Sequence, residues 1–256
     1  MQVVNLDIPQ EVGYLVPLGD LHRGDTHLTS RGLDKLKGYL DWVMARPNAF
    51  IFLMGDILNV ASRSSKTNPF ESDKDEYAKS VQLFKPYATR IVGCITGNHE
   101  QRMYKEFGFN PLQPFCRELN IPYCGYSSVL RIRVGKRADR RNEYRQMYWG
   151  FAHHGNGGGG TMGAALNKKV KLQEIVQGMD FYMAGHDHQL INGKRDVLFP
   201  HKDIMVRQRV HYIDTGSFLD WDEAYTEEAA MAISAQGAAR LRFDGRQDHH
   251  DLHVSI

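Results

Sequence analysis

Five short polar clusters carry side chains that can hold a cation or move a proton: Asp20-Leu21-His22, Gly55-Asp56, Gly97-Asn98-His99-Glu100, His153-His154-Gly155 and Gly185-His186-Asp187-His188. One aspartate and one histidine in a loop are ordinary, because turns favour Asp, Asn and Gly. Five successive clusters, each delivering Asp, Asn or His, instead suggest convergence on one metal-binding place. Several of the twelve histidines fall in these clusters rather than being spread along the 256 residues.

The segments ahead of the clusters explain how they would meet. Four apolar stretches, Tyr14–Leu18, Phe50–Met54, Arg90–Ile95 and Phe181–Ala184, read as buried strands that run straight into polar residues. Leu33, Leu36, Leu40 and Val43 repeat at helical spacing, with Ser30 as cap and Pro47 as stop. Tyr77, Val81 and Phe84 predict a second helix, and Leu166, Val170 and Ile175 a third that ends near Gly178. Alternating strands and helices predict a largely parallel sheet whose site lies beyond the carboxyl ends of its strands. From Ser127 the pattern changes. Leu130, Ile132 and Val134 share one strand face with Arg131 and Arg133 on the other, followed by strands over Tyr144–Ala152, Met205–Ile213 and Ala238–Phe243. The second half is therefore expected to add another, mixed sheet. With no repeat and no clear linker, residues 1–256 are expected to form one domain.

The ordered set D-x-H, G-D, G-N-H-E, H-G and G-H-x-H resembles the calcineurin-like metallophosphoesterase superfamily, over roughly residues 14 to 217. The resemblance implies a four-layer α/β/β/α sandwich of two mixed sheets flanked by helices. It implies that Asp20, His22 and His188 bind one metal ion, that Asn98, His154 and His186 bind a second, and that Asp56 bridges them. His154 is preferred to His153 because the family places the ligand immediately before the glycine. Mixed imidazole, carboxylate and amide donors suit borderline divalent ions, manganese first with iron, zinc or nickel as alternatives, and not a hard calcium site. The implied reaction is phosphoester hydrolysis by a hydroxide shared between the ions. His99 would stabilise the transition state or protonate the leaving oxygen, with Glu100 orienting its ring.

Departures from relatives narrow the substrate. Arg23 intervenes before Gly24, and Ile57-Leu58-Asn59-Val60 follows Asp56, so the phosphate-binding arginine of the serine/threonine phosphatases is absent. Asn59 stands where purple acid phosphatases carry a metal-bound tyrosine, and His99 is present where lipid A pathway hydrolases usually carry arginine. What remains resembles phosphodiesterases and repair nucleases, so the leading expectation is hydrolysis of nucleic acid or a nucleotide-like diester. The alternatives are a small-molecule phosphomonoesterase and a catalytically silent metal-binding scaffold. Arg23, His27 and Arg102 are candidate substrate contacts by proximity in sequence, and the polar stretch Ala61–Asp75 is expected to border the site.

The remaining features carry blander readings. Seven basic residues between Arg131 and Arg145, against Asp139 and Glu143, could grip a phosphate backbone, but a solvated edge hairpin is slightly preferred. Gly157–Gly160 lack the following Lys-Ser or Lys-Thr of a nucleotide-cradling loop, and Asp214-Thr215-Gly216-Ser217 has no second copy to make an aspartic protease dyad. The histidines of the terminal "QDHHDLHVSI" are read as solvated. A net charge of +2, 42% hydrophobic and 24% charged residues fit an average globular chain. Three cysteines without C-x-x-C spacing suggest neither disulfides nor a thiolate site, and the absence of a leader or spanning segment predicts a cytoplasmic protein without membrane contact. Oligomeric state is left open.

Overall fold

The chain begins with two strands, Gln2–Ile8 (β1) and Val12–Leu18 (β2), and continues through helix Ser30–Met44 (α1), strand Ala49–Leu53 (β3), helix Asp73–Phe84 (α2) and strand Ile91–Cys94 (β4). Helices Asn98–Phe107 (α3) and Leu112–Glu118 (α4) lead to strands Ser127–Lys136 (β5) and Tyr144–His153 (β6). Helix Met162–Lys171 (α5), strands Phe181–Ala184 (β7), Leu190–His201 (β8) and Ile204–Thr215 (β9), and finally Arg240–Asp244 (β10) and Asp251–Ser255 (β11) complete the order. This computed structural model describes residues 1–60, 73–137, 143–157, 161–201, 203–220, 235–246 and 250–256.

The strands form two mixed sheets, β1-β5-β6-β7-β9-β8 and β11-β10-β2-β3-β4. Strand periodicity decides what lies between and outside them, since successive side chains point to opposite faces. Leu15 and Phe52 face inward to meet Leu130, Ile132, Tyr148, Phe181, Met183 and Phe243 between the sheets. Val16, Leu18, Ile51 and Leu53, on the opposite face, meet Leu36, Leu40 and Val43 of α1, Phe84 of α2 and Phe115 of α4. On the far side, Phe151, Tyr182 and Tyr212 meet Leu166 and Val170 of α5. The result is the expected helix, sheet, sheet, helix sandwich, and each fully buried apolar side chain contributes about 1.5–3 kcal/mol. Among the described residues no helix is long and apolar enough to cross a membrane.

Several local expectations are corrected. Thr29, not Ser30, caps α1, its side-chain oxygen accepting from the Gly32 N–H at 3.3 Å. β1 is a strand because Val4, Leu6 and Ile8 alternate inward, and it pairs in parallel with β5 from Gln2↔Ser128 to Ile8↔Val134. The basic β5–β6 hairpin is therefore covered by β1 rather than forming an edge, and Arg133 pairs with Asp7 across that seam. Its register sets Ser127 against His153 at one end and Lys136 against Tyr144 at the other. At about 3.3 Å per residue, the basic end lies roughly 30 Å from the His153 end. Arg140 and Arg141 of this stretch lie outside the described residues, as do Gly158–Gly160, His249 and most of Ala61–Asp75. The terminal segment is β11, paired antiparallel with β10, and His250 bonds Asp180 at 2.9 Å.

His211 on β9 gives the sandwich an acid sensitivity. It is 4% exposed, and burial, then Lys194 and Arg209, hold its pKa down to about 4. From the ordinary 6.5 down to about 4 the unfolded chain takes up a proton that the native ring refuses, so stability is intact above pH 6.5 and lost below it. The expected loss is about 2 kcal/mol by pH 5. Urea unfolding at pH 7 and 5 is expected to show that loss in the native chain, and His211→Gln to remove this share of it.

Candidate metal centre

The polar clusters converge at the carboxyl ends of β2, β3, β4, β6 and β7. Asp20, His22, Asp56, His186 and His188 all have positive φ, between 44° and 72°. Left-handed backbone is uncommon for residues with a Cβ and persists where the surroundings over-determine it, which is typical of functional sites. Two glycines permit the close packing. A Cβ on Gly97 would stand 2.0 Å from Asp56 Oδ1, and one on Gly185 would stand 2.2 Å from Asp20 Oδ2.

Among the described residues three groups of donor atoms result: Asp20, His22 and His188; His22, Asp56 and His99; and Asp56, His154 and His186. In the first, Asp20 Oδ1 is 3.6 Å from His188 Nε2, and His22 Nε2 is 3.0 Å from His188 Nε2. Asp56 Oδ2 lies 3.3 Å from His154 Nε2, 3.7 Å from His22 Nε2 and 4.0 Å from His99 Nε2. Asn98 joins the third group, with its side-chain oxygen 2.9 Å from His154 Nε2 and 2.6 Å from His186 Nδ1. That oxygen faces only acceptors. Turning the amide lets its nitrogen donate to both rings and to Asp56 Oδ2 at 3.0 Å, while the oxygen accepts from Arg102. Left facing the rings, the oxygen and the nitrogen lone pairs form the donor set of a cation. His154 Nδ1 is directed to the Met54 carbonyl at 2.8 Å, which leaves Nε2 free to act as a ligand.

Electrostatics sort the groups. Burial pushes His22 well below its ordinary value and His188 down to about 4, and lowers His186 and His99. Neutral rings present lone pairs, as cation binding requires. Burial also opposes charge on Asp56 and His154, but their mutual attraction prevails: the carboxyl is held well below the usual range and the ring is raised to about 10. Burial pushes Asp20 up to about 8. Such a paired and partly protonated cluster is what excess negative and lone-pair density produces around a place for cationic charge. Its His, Asp and Asn donors fit borderline divalent cations.

A model of the calcineurin-like phosphoesterase family matches residues 18–190. The chain belongs to that family. No curated protein matches it. Among solved structures, this family member is similar to Vps29 complexed with Zn²⁺ from Entamoeba histolytica, with 10% identity, a TM-score of 0.42 and coverage of 94% of this chain and 98% of the other. A conserved uncharacterized protein from Streptococcus pneumoniae TIGR4, described as a predicted phosphoesterase, shares 10% identity over 95% of this chain and 88% of its own, with a TM-score of 0.38. A metallophosphoesterase from Sphaerobacter thermophilus shares 12% over 95% and 88%, with a TM-score of 0.40.

All seven candidate ligands of this family member thus meet at one place, with His99 beside them. His153 does not join them; its Nδ1 accepts from the Gly155 N–H at 2.8 Å. Of the candidate substrate contacts, Arg102 reaches Asn98, while His27 is engaged with Asp25, Nδ1 to Oδ1 at 2.6 Å. Arg23 is held through its backbone, which bonds Ile57 and Asn59.

Glu100 does not orient His99. Its two oxygens accept from the N–H groups of Asp56, Ile57, Leu58 and Gly97 at 2.8–3.1 Å, clamping the loop that carries Asp56. The His99 ring is instead held by the Asn59 carbonyl, 2.6 Å from Nδ1. Glu76 of α2 extends the clamp to the Asn59 and Val60 N–H groups, and Ser217 donates to the Asp20 carbonyl at 2.8 Å. Sequence reasoning missed Glu76, Asn59 and Ser217 as supports. Only the placement of Ser217 just after a strand gave a hint.

Proposed function

We propose that the protein is a phosphoester hydrolase dependent on two divalent ions, manganese first, and that it acts on a phosphodiester in nucleic acid or a nucleotide-like molecule. The observation that carries this reading is Asp56, whose one carboxylate faces imidazoles of both donor groups while His99 stands over it. Asp20, His22 and His188 would hold one ion, Asn98, His154 and His186 the other, with Asp56 between them. Bound there, the ions supply Lewis acidity toward a phosphoryl oxygen and make a water nucleophilic near neutral pH.

The chain's own groups do the rest. Glu100 fixes the Asp56 loop, and the Asp56 carboxylate is fixed again where its Oδ1 accepts the His99 N–H at 2.8 Å. With Nδ1–H on the Asn59 carbonyl, His99 turns Nε2 toward the leaving oxygen and donates from the doubly protonated ring, which burial disfavours and the Asp56 carboxylate favours. Diester selectivity is favoured by the loop after Asp56. Ile57, Leu58, Asn59 and Val60 are at most 4% exposed and bring no cation, so the second charge of a monoester dianion gains no partner from that loop.

Hydrolysis of bis-p-nitrophenyl phosphate and p-nitrophenyl phosphate in manganese tests this directly, and the diester is expected to turn over faster. A monoester preference moves the substrate to small phosphorylated molecules. No turnover of either despite bound manganese puts a silent scaffold, or a very selective pocket, first.

A further inference from the structure

Lys169 is a lysine where none is expected, since its side chain is 1% exposed within α5. An ammonium group out of water must find compensating charge. Its Nζ donates to Asp214 Oδ2 at 2.5 Å, to Asp187 Oδ2 at 2.6 Å and, more weakly, to the Gly185 carbonyl at 3.4 Å. The other oxygen of Asp187 is taken by Lys168, which also bonds the Gly157 carbonyl at 3.0 Å. Asp187 is thus gripped on both oxygens, and Asp214 ties the grip to the end of β9.

Asp187 sits between the two histidines of the G-H-x-H loop, both of which hold positive φ. The Gly185 N–H donates to the His154 carbonyl at 2.9 Å and His186 Nε2 meets the Gly157 carbonyl at 3.0 Å, and two further fastenings of the loop bear on the ligand geometry. On its inner side the His186 N–H donates to both oxygens of Asp20, at 3.1 and 2.9 Å. That fastening shares its carboxylate with any cation that Asp20 holds. From α5, Lys169 holds Asp187 and Gly185 through atoms that belong to none of the candidate ligands, so this fastening persists when Asp20 is committed to an ion. We infer that Lys169 is a positioning residue, which locks the Gly185–His188 loop from α5 so that the His186 and His188 rings are set for a cation before it arrives. The inference rests on the proposed metal-dependent function.

The test uses the full chain, freed of metal, in four forms: native, Lys169→Met, Asp187→Asn and the double variant. Manganese titration by calorimetry is expected to show binding about 10- to 100-fold weaker in each single variant, the usual cost of losing an outer-shell partner. The double variant is expected to be no worse than the weaker single, because both act through one contact. Lys168→Met, which leaves Asp187 on Lys169, is expected to stay within a few-fold of the native chain. Amide exchange at Gly185–His188, measured without metal, is expected to quicken in both single variants, a readout that a lysine merely stapling α5 would not move selectively. Folded Lys169→Met that binds manganese within twofold of native overturns the inference. Should Lys169→Met fail to fold, Asp187→Asn decides by the same criterion. A native chain that binds no manganese overturns the proposed function instead, and unchanged exchange in the loop then overturns the role of Lys169 independently.

Discussion

Asp56→Asn is expected to abolish diester hydrolysis and to reduce bound manganese from two ions to one or fewer, in a chain that still folds. The substitution keeps the shape and keeps Oδ1 as acceptor for the His99 N–H, but turns the anionic oxygen that faces His154, His22 and His99 into an amide donor. A carboxamide cannot offset the repulsion of two neighbouring dications, so the loss should exceed the roughly 10- to 100-fold typical of outer-shell changes. A second signature needs no metal. Asp56 is the chief group lifting His154 against its burial to about 10, so histidine titration by NMR is expected to find that ring far lower in the variant. Two retained ions with turnover within tenfold of native would remove Asp56 from the centre of the mechanism.

Why the ligands were legible while their supports were not follows from the distances along the chain over which each acts. Asp20, His22, Asp56, Asn98, His186 and His188 each closely follow an apolar strand, so strand boundaries and residue type suffice to place them at one end of a sheet. His154 needed one further rule, its place before a glycine. Glu100 was misassigned because its neighbour in sequence, His99, looked like its partner, whereas its four donors include three from a loop more than forty residues earlier. Lys169 sits in "NKKVK", which reads as the solvated face of an amphipathic helix, and only the return of β7 and β9 beneath α5 buries it. β8 was missed because Gly193, Pro200 and the consecutive charges Lys194-Arg195-Asp196 conceal strand periodicity; its register with β9, from Leu190↔Thr215 to His201↔Ile204, supplies what propensity does not. The basic hairpin shows the converse. Its charge was plain in the sequence, but only strand register reveals that its described basic end, at Lys136 and Tyr144, lies roughly 30 Å along the strands from His153.

His99→Asn separates proton transfer from cation binding. His99 Nε2 is close enough to Asp56 and His22 to form a third donor group with them, so geometry alone offers it two roles. As an acid acting beside the ions, its loss is expected to lower kcat by about 10²–10⁴ while manganese stoichiometry and affinity hold. As a ligand, its loss would weaken manganese binding in step with turnover. The leaving group sharpens the distinction. p-Nitrophenolate departs readily without a proton, whereas the sugar alkoxide of an oligonucleotide does not, so the deficit of His99→Asn is expected to be small on bis-p-nitrophenyl phosphate and large on a dinucleotide. Equal deficits on both, with manganese still bound, would leave His99 stabilising charge on the phosphoryl oxygens, because that contribution does not depend on how badly the departing oxygen needs a proton.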